Sequence, residues 1–215
     1  GGMPMSWIDE YRAKKTSAER AAQAVRSGDR VVFAHACGEP LDLVAALVAR
    51  APELQRVEIV HLVPMGLGAY TAPEMAASFR HNSLFVGAAT RQAVGAGLAE
   101  AEDAREPLVA AVHFHAVPDL LRSGYLTPDA AFIQVSPPDR HGYCSFGVSV
   151  DYTRPAAFVA RTVVAQVNSH MPRTHGDSFI HVSRLTHIVE ADRPIIELPP
   201  PPIGPIEEAI GRNVA

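Results

Sequence analysis

Ala130-Ala131-Phe132-Ile133-Gln134-Val135-Ser136-Pro137-Pro138-Asp139-Arg140-His141-Gly142-Tyr143-Cys144-Ser145-Phe146-Gly147-Val148-Ser149 is an apolar run that breaks at two prolines into a polar turn. The first six residues read as a strand. Proline fixes φ and donates no backbone N–H, so ladder pairing stops at Pro137. The turn carries Asp139, His141 and Ser145 to the rim of a sheet, where ligands bind in open α/β proteins. Phe146 to Tyr152 then reads as a second alternating segment.

Working outward, the same unit recurs on both sides. Ser6 begins a helix with Asp9 and Glu10 in its first turn, and a second helix runs from about Ser17 to Gly28. Serine caps a helix start and glycine stops one. Val31 to His35 is a strand, and Ala36-Cys37-Gly38-Glu39-Pro40 leads into a helix whose Leu41, Val44, Ala45 and Val48 share a face. Val57 to Val63, Ser83 to Val86 and Leu108 to Phe114 are further strands, with a helix around Arg91 to Ala99 and a short one near Val117 to Arg122. Val163 to Val167 continues the sheet, and Phe179 to Val182 and His187 to Glu190 add smaller strands. Short apolar strands alternating with helices predict an α/β fold, a mainly parallel sheet flanked by helices on both faces.

Composition narrows the function. The chain has 215 residues, 47% of them hydrophobic and 20% charged, which suits one α/β domain with a sizeable core. A formal charge of −4 and a pI near 6.2 argue against nucleic-acid binding. Cys37 and Cys144 are the two cysteines, and with no secretory signal they are expected as free thiols in a cytoplasmic protein. The apolar runs are too short to cross a membrane. Gly1-Gly2 before Met3 reads as the remnant of an expression tag.

From Ser136 to Asp151 the chain resembles the signature of the acetyl-CoA hydrolase/transferase family, roughly Ser-Pro-Pro-Asp-x-His-Gly-Tyr-Cys-Ser-x-Gly-x-Ser-x-Asp. The resemblance extends from about Gly28 to the C-terminus and covers the family's N-terminal half. It implies a CoA-transferase-type α/β domain over residues 3–198, coenzyme A as part of an acyl-CoA substrate, a small carboxylate as acceptor, and no metal. A homo-oligomer is expected. In the family's reaction a glutamate carboxylate attacks the acyl-CoA thioester, giving a mixed anhydride and CoA thiolate. The thiolate returns to form a glutamyl-CoA thioester, and a second carboxylate completes the exchange. Such intermediates require exclusion of water, which a cleft between two domains provides. The resemblance puts the glutamate nucleophile in a C-terminal CoA-transferase domain, so no catalytic residue is assigned in this chain.

Candidate substrate-binding residues follow from the strand exits. Gly38, Glu39 and Pro40 resemble the family's loop after the first strand, where small residues let backbone N–H groups approach an anion at a helix N-terminus. A plain strand-to-helix turn with Glu39 capping the helix is the alternative. Glu39 is also a tempting nucleophile, although it does not match the family's catalytic position. Met65 with Gly66, and Gly87 with Ala88, sit at the next two exits, as pocket lining or as turn glycines with positive φ. Asp139, His141 and Ser145 either touch substrate or hydrogen-bond within the signature turn. Asn168 matches a family element and has a structural alternative.

Two further readings complete the sequence. His113 and His115 share a face if their segment is a strand, with His35 nearby, but no spacing supplies a third ligand set for zinc. Pro199-Pro200-Pro201-Pro202-Ile203-Gly204-Pro205 is an extended connector, and residues 199–215 begin a second domain. If another domain closes over the strand exits, Met65, Gly66, Tyr143 and Phe146 should form an exposed, partly apolar face.

Overall fold

In the computed structural model, residues 6–85 and 113–214 are described. A six-stranded sheet runs in the order β3-β2-β1-β4-β6-β8, and every pairing within it is parallel. Its strands are β1 (Arg30–Phe33), β2 (Val57–His61), β3 (Phe79–Ser83), β4 (Ala130–Val135), β6 (Thr162–Asn168) and β8 (His187–Ala191). A separate antiparallel ribbon pairs β5 (Tyr143–Ser145) with β7 (Phe179–His181). The helices are α1 (Trp7–Lys14), α2 (Ala18–Ala22), α3 (Leu41–Ala49), α4 (Val117–Arg122), α5 (Thr153–Val159) and α6 (Pro205–Val214).

The sheet is covered on both faces because its strands alternate between two apolar cores. Val31, Phe33, Ile59, Phe132 and Val164 pack with Leu43, Val44 and Leu47 of α3 and Ala21 of α2. Val32, Val60, Ala131, Ile133 and Val163 pack the other way, with Val117 and Leu121 of α4 and Ala156 and Ala157 of α5. Trp7 and Tyr11 of α1 lie against this second core. The α/β reading is correct in kind and in layer order.

Local boundaries moved for identifiable reasons. Helix α3 buries Leu43, Val44, Ala46 and Leu47 rather than Leu41, Val44, Ala45 and Val48. Its sequence is apolar almost all round, so spacing alone cannot choose the face. Strand β3 is Phe79–Ser83, ending where the expected Ser83–Val86 strand was to begin. Among the described residues it pairs only with β2, at the edge of the sheet, and its Arg80, His81 and Asn82 break the apolar pattern. Helix α2 stops at Ala22, short of Gly28. Phe146 to Tyr152 forms no strand, because β5 precedes it and α5 follows at Thr153. Phe114 opens a 3-10 turn, so His113 and His115 do not share a strand face, although their rings stack 5.6 Å apart. The expected Arg91–Ala99 helix and residues 108–112 of the expected Leu108–Phe114 strand lie outside the described residues, as does Gly87.

Residues 199–204 form neither helix nor strand, and α6 follows with no buried residue. Ile203 before it and Ile206, Ile210 and Val214 along it are exposed. Cys37 is partly buried and Cys144 buried, both as free thiols. Among the described residues, no helix is long and apolar enough to cross a membrane.

Candidate active site at the strand exits

Strands β1 and β4 lie side by side in the middle of the sheet. From β1 the chain goes on to β2 and β3 on one side, and from β4 to β6 and β8 on the other. Their exit loops therefore diverge, leaving a crevice at the carboxyl ends, the usual ligand position in an open parallel sheet.

The two loops are fitted to each other. The signature residue Ser149 accepts a hydrogen bond from the His35 amide at 2.9 Å and lies 2.9 Å, hydroxyl to hydroxyl, from Thr153. A Cβ on Gly38 would sit 2.3 Å from the Ser149 side chain, so glycine is needed there for close approach. Ala36 has φ +50°, a left-handed conformation that L-residues rarely adopt. Its amide donates to the Val63 carbonyl at 3.1 Å, which joins the β1 exit to the β2 exit.

Glu39 strengthens that junction. Its Oε2 accepts from the Met65 amide at 2.9 Å and the Gly66 amide at 2.8 Å, while its side chain is buried and Oε1 has no partner. Burial raises the carboxyl's pKa, and the Gly66 and Met65 amides only partly offset this. A Cβ on Gly66 would come within 2.8 Å of Oε1. Gly66 is therefore glycine to admit this carboxyl, and not for positive φ, which belongs to Gly68 at +58°. Glu39 is buried, with Oε2 committed to two amides, which is not the arrangement of an exposed carboxylate nucleophile.

Beside this junction is a cavity of about 300 Å³, lined by His35, Leu62, Val63, Leu84, Phe85 and Phe114. Among the described residues its walls are almost wholly apolar, with His35 as the polar exception. Its Nδ1 is 2.9 Å from Asp151 Oδ2, and Asp151 Oδ1 accepts from the Thr153 amide and hydroxyl. This contact fixes the orientation of the imidazole ring. Nε2 is left without a partner. The sequence pattern points to His35 only as a metal ligand and to Asp151 only as the last residue of the signature, which is the local signal Asp151 carries.

The other candidates occupy tighter structural positions. Asp139 Oδ1 accepts from the His141 and Tyr143 amides at 2.8 and 3.0 Å, and Oδ2 from Arg173 at 2.7 Å. The Tyr143 amide, with those of His141 and the charge of Arg173, holds its carboxyl below the usual range. His141 is exposed, and its carbonyl lies 3.1 Å from His181 Nε2. Ser145 is buried, accepting from the Gly147 and Thr174 amides. Asn168 is buried, donating to Gln134 at 2.8 Å and to the Arg193 carbonyl at 2.9 Å. The Pro40 carbonyl accepts from Val44 at the start of α3. The described structure thus brings Gly38, Glu39, Met65 and Gly66 together, while Asp139 and Ser145 satisfy the backbone of the signature turn and its neighbours.

Phe146 corrects one expectation: it is fully buried in the core and contributes nothing to an exposed face. Of the described residues lining the cavity, Phe85 and Phe114 are exposed. Tyr143 is exposed but packs edge-on against His181.

A family model for the acetyl-CoA hydrolase/transferase N-terminal domain matches residues 5–199. The chain is 51% identical to a 4-hydroxybutyrate coenzyme A transferase of Clostridium kluyveri over 98% of this chain and 47% of that protein. It is 42% identical to a succinyl-CoA:cyclohexane-1-carboxylate CoA transferase of Geobacter metallireducens, over 98% of this chain and 46% of that protein. Among solved structures, a 4-hydroxybutyrate CoA-transferase of Porphyromonas gingivalis superposes with a TM-score of 0.75 at 36% identity, over 91% of this chain and 43% of that one. RipA of Yersinia pestis superposes with a TM-score of 0.84 at 30% identity, over 94% of this chain and 47% of that one. The chain spans about half the length of the curated relatives it matches.

Proposed function

Since the chain belongs to the acetyl-CoA hydrolase/transferase family, we propose that it is the N-terminal domain of an acyl-CoA:carboxylate CoA-transferase and forms one wall of the active-site cleft. The observation that carries this reading is the apolar cavity at the exits of β1, β2 and β3, on one side of the point where the β1 and β4 exits diverge. At about 300 Å³ it lies at the low end of the ~300–1,000 Å³ typical of small-molecule sites, suited to a short acyl group and too small for a whole CoA. Leu62, Val63, Leu84, Phe85 and Phe114 would hold the acyl chain, and His35, oriented by Asp151, would offer a single polar contact.

In this division of labour the chain orients the acyl group and excludes water, and the nucleophilic glutamate comes from a C-terminal domain. The family name covers hydrolysis and transfer alike, but the relatives described above act as transferases by name. The residue range 3–198 for this domain, with 199–215 leading to the next, is part of the proposal, as are the substrate contacts of Gly38, Pro40, Met65, Gly87, His141 and the rest of the strand-exit set.

The test is complementation. This chain is joined to the C-terminal half of the Clostridium kluyveri relative and assayed with 4-hydroxybutyryl-CoA and acetate. Acetyl-CoA formation that requires acetate supports the proposal. CoA release independent of acetate would turn the reading to hydrolysis. No restored turnover, with a folded fusion, would leave a free-standing binding domain as the better account.

A further inference from the structure

Of the groups around the cavity, Glu39 holds a position that its proposed neighbours do not explain. Its carboxyl is buried at the end of a loop, touches no cavity atom, and is spent on two backbone amides of a different loop. We propose that Glu39 is a positioning residue, which fixes the β2 exit segment Val63–Gly66 against the β1 exit and so sets the wall of the acyl pocket. The inference rests on the function proposed above and assigns this residue a role within it.

Three contacts make the clamp. The Ala36 amide holds the Val63 carbonyl at one end of the segment, and Glu39 Oε2 holds the Met65 and Gly66 amides at the other. Ala36 and Glu39 are three residues apart on one tight 3-10 turn, so both ends of the segment are gripped by the same short piece of chain. Leu62 and Val63, at the start of the gripped segment, line the cavity. The turn is itself anchored from the far side: the Glu39 carbonyl accepts from Gln134 Nε2 at 3.2 Å, and Gly38 abuts Ser149. Glu39 is thus the residue at which the exits of β1, β2 and β4 meet. Without its carboxyl the two amides would face a buried site with no acceptor, and the segment would open to reach water.

The clamp also accounts for Gly66, whose missing side chain leaves room for Oε1. This supplies a second, independent way to break it. Glu39→Ala removes the acceptor, Gly66→Ala pushes the carboxyl aside, and Glu39→Gln keeps an amide oxygen in place.

Hydrogen exchange of the Met65 and Gly66 amides in this chain is the first measurement. Both should exchange at least about tenfold faster in Glu39→Ala and Gly66→Ala, with Ile59 and Val60 in β2 unchanged and with Glu39→Gln close to the unsubstituted chain. If Glu39→Ala does not fold, Gly66→Ala decides. Unchanged protection of both amides in the folded variants overturns the clamp. Calorimetric titration with acetyl-CoA is the second measurement, where Glu39→Ala or Gly66→Ala should weaken binding about tenfold and Glu39→Gln should restore it. Faster exchange with unaltered affinity would show a clamp without a positioning role and overturn the proposal. An unsubstituted chain that binds no acetyl-CoA, its amides still protected, would instead count against the function proposed above, and the positioning role would fall with it.

Discussion

Two residues show how a single side chain, or its absence, sets this site. Glu39 carries a carboxyl whose pKa is raised above its ordinary 4.5, chiefly by burial. A carboxyl with a raised folded-state pKa binds its proton more tightly in the folded state. Its contribution to stability is therefore full below pH 4.5 and is lost as pH rises through the folded value. Tyr70 and Tyr152, which also feel its charge, are pushed up by burial and titrate far above this window. His61 and His81 are held neutral by burial, His81 down to about 4, and contribute equally to both proteins being compared. The difference in unfolding free energy between the unsubstituted chain and Glu39→Gln should thus move in favour of Glu39→Gln as pH rises from 4.5. Urea unfolding at a series of pH values measures it, and a flat difference would mean that the carboxyl ionises without cost.

Gly142 is the second such residue. It sits in the signature turn at φ +85°, and a Cβ there would lie 2.7 Å from His181 Nε2 and 2.9 Å from the Trp7 ring. Gly142→Val meets both backbone strain and crowding between α1 and the β5–β7 ribbon. The strain alone costs roughly 1–3 kcal/mol. Thermal unfolding should show a midpoint lowered by several degrees. An unchanged midpoint would show that the turn relaxes without loss.

At the scale of elements, the central strands were legible because burial on both faces makes them mostly apolar. Ala130 to Val135 was readable to the residue, and Val163 to Val167 nearly so, since β4 and β6 are interior strands. Legibility fell off where another force decided the outcome. Strand β3 hides behind Arg80, His81 and Asn82, and α5 begins with Thr-Arg-Pro, an entry that resembles a turn. The site divides in the same way. Gly38, Glu39 and Gly66 could be found at strand exits, but their contacts with each other are long-range and carry no local pattern. His35 and Asp151, separated by 116 residues, could be paired only by the fold.

The strands also carry a polar seam that apolar spacing does not reveal. Gln134 of β4 donates to the Glu39 carbonyl and accepts from Gln166 and Asn168 of β6, all three side chains buried. Gln166 in turn accepts from the Asp42 amide at the start of α3. Gln134→Leu would leave these partners buried and unpaired, at a cost of about 1–3 kcal/mol for each group left unsatisfied. A lower urea midpoint with an unchanged slope would be the signature. A midpoint equal to that of the unsubstituted chain would mean the seam repacks or takes up water.

At the scale of the whole molecule, the question is what the described chain can do without a further domain. Carboxylate attack on a thioester needs a carboxylate that is exposed, ionised and free to move toward the carbonyl. Among the described residues, Glu39 and Asp151 beside the cavity do not meet these terms together. Glu39 is buried on the Met65 and Gly66 amides, and Asp151 is divided between His35 and Thr153. Asp139, in the signature turn, is tied to two amides and Arg173. Among the described residues, what remains beside the cavity is an apolar wall with an oriented imidazole, and none of these three carboxyls is free to act as the nucleophile. The chain alone should therefore transfer no CoA from acetyl-CoA to a labelled carboxylate acceptor, while the same chain joined to a C-terminal transferase half does so. Turnover by the isolated 215-residue chain would overturn this division of labour. Loss of that turnover in Glu39→Gln would then identify Glu39 as the nucleophile, released from its clamp by substrate.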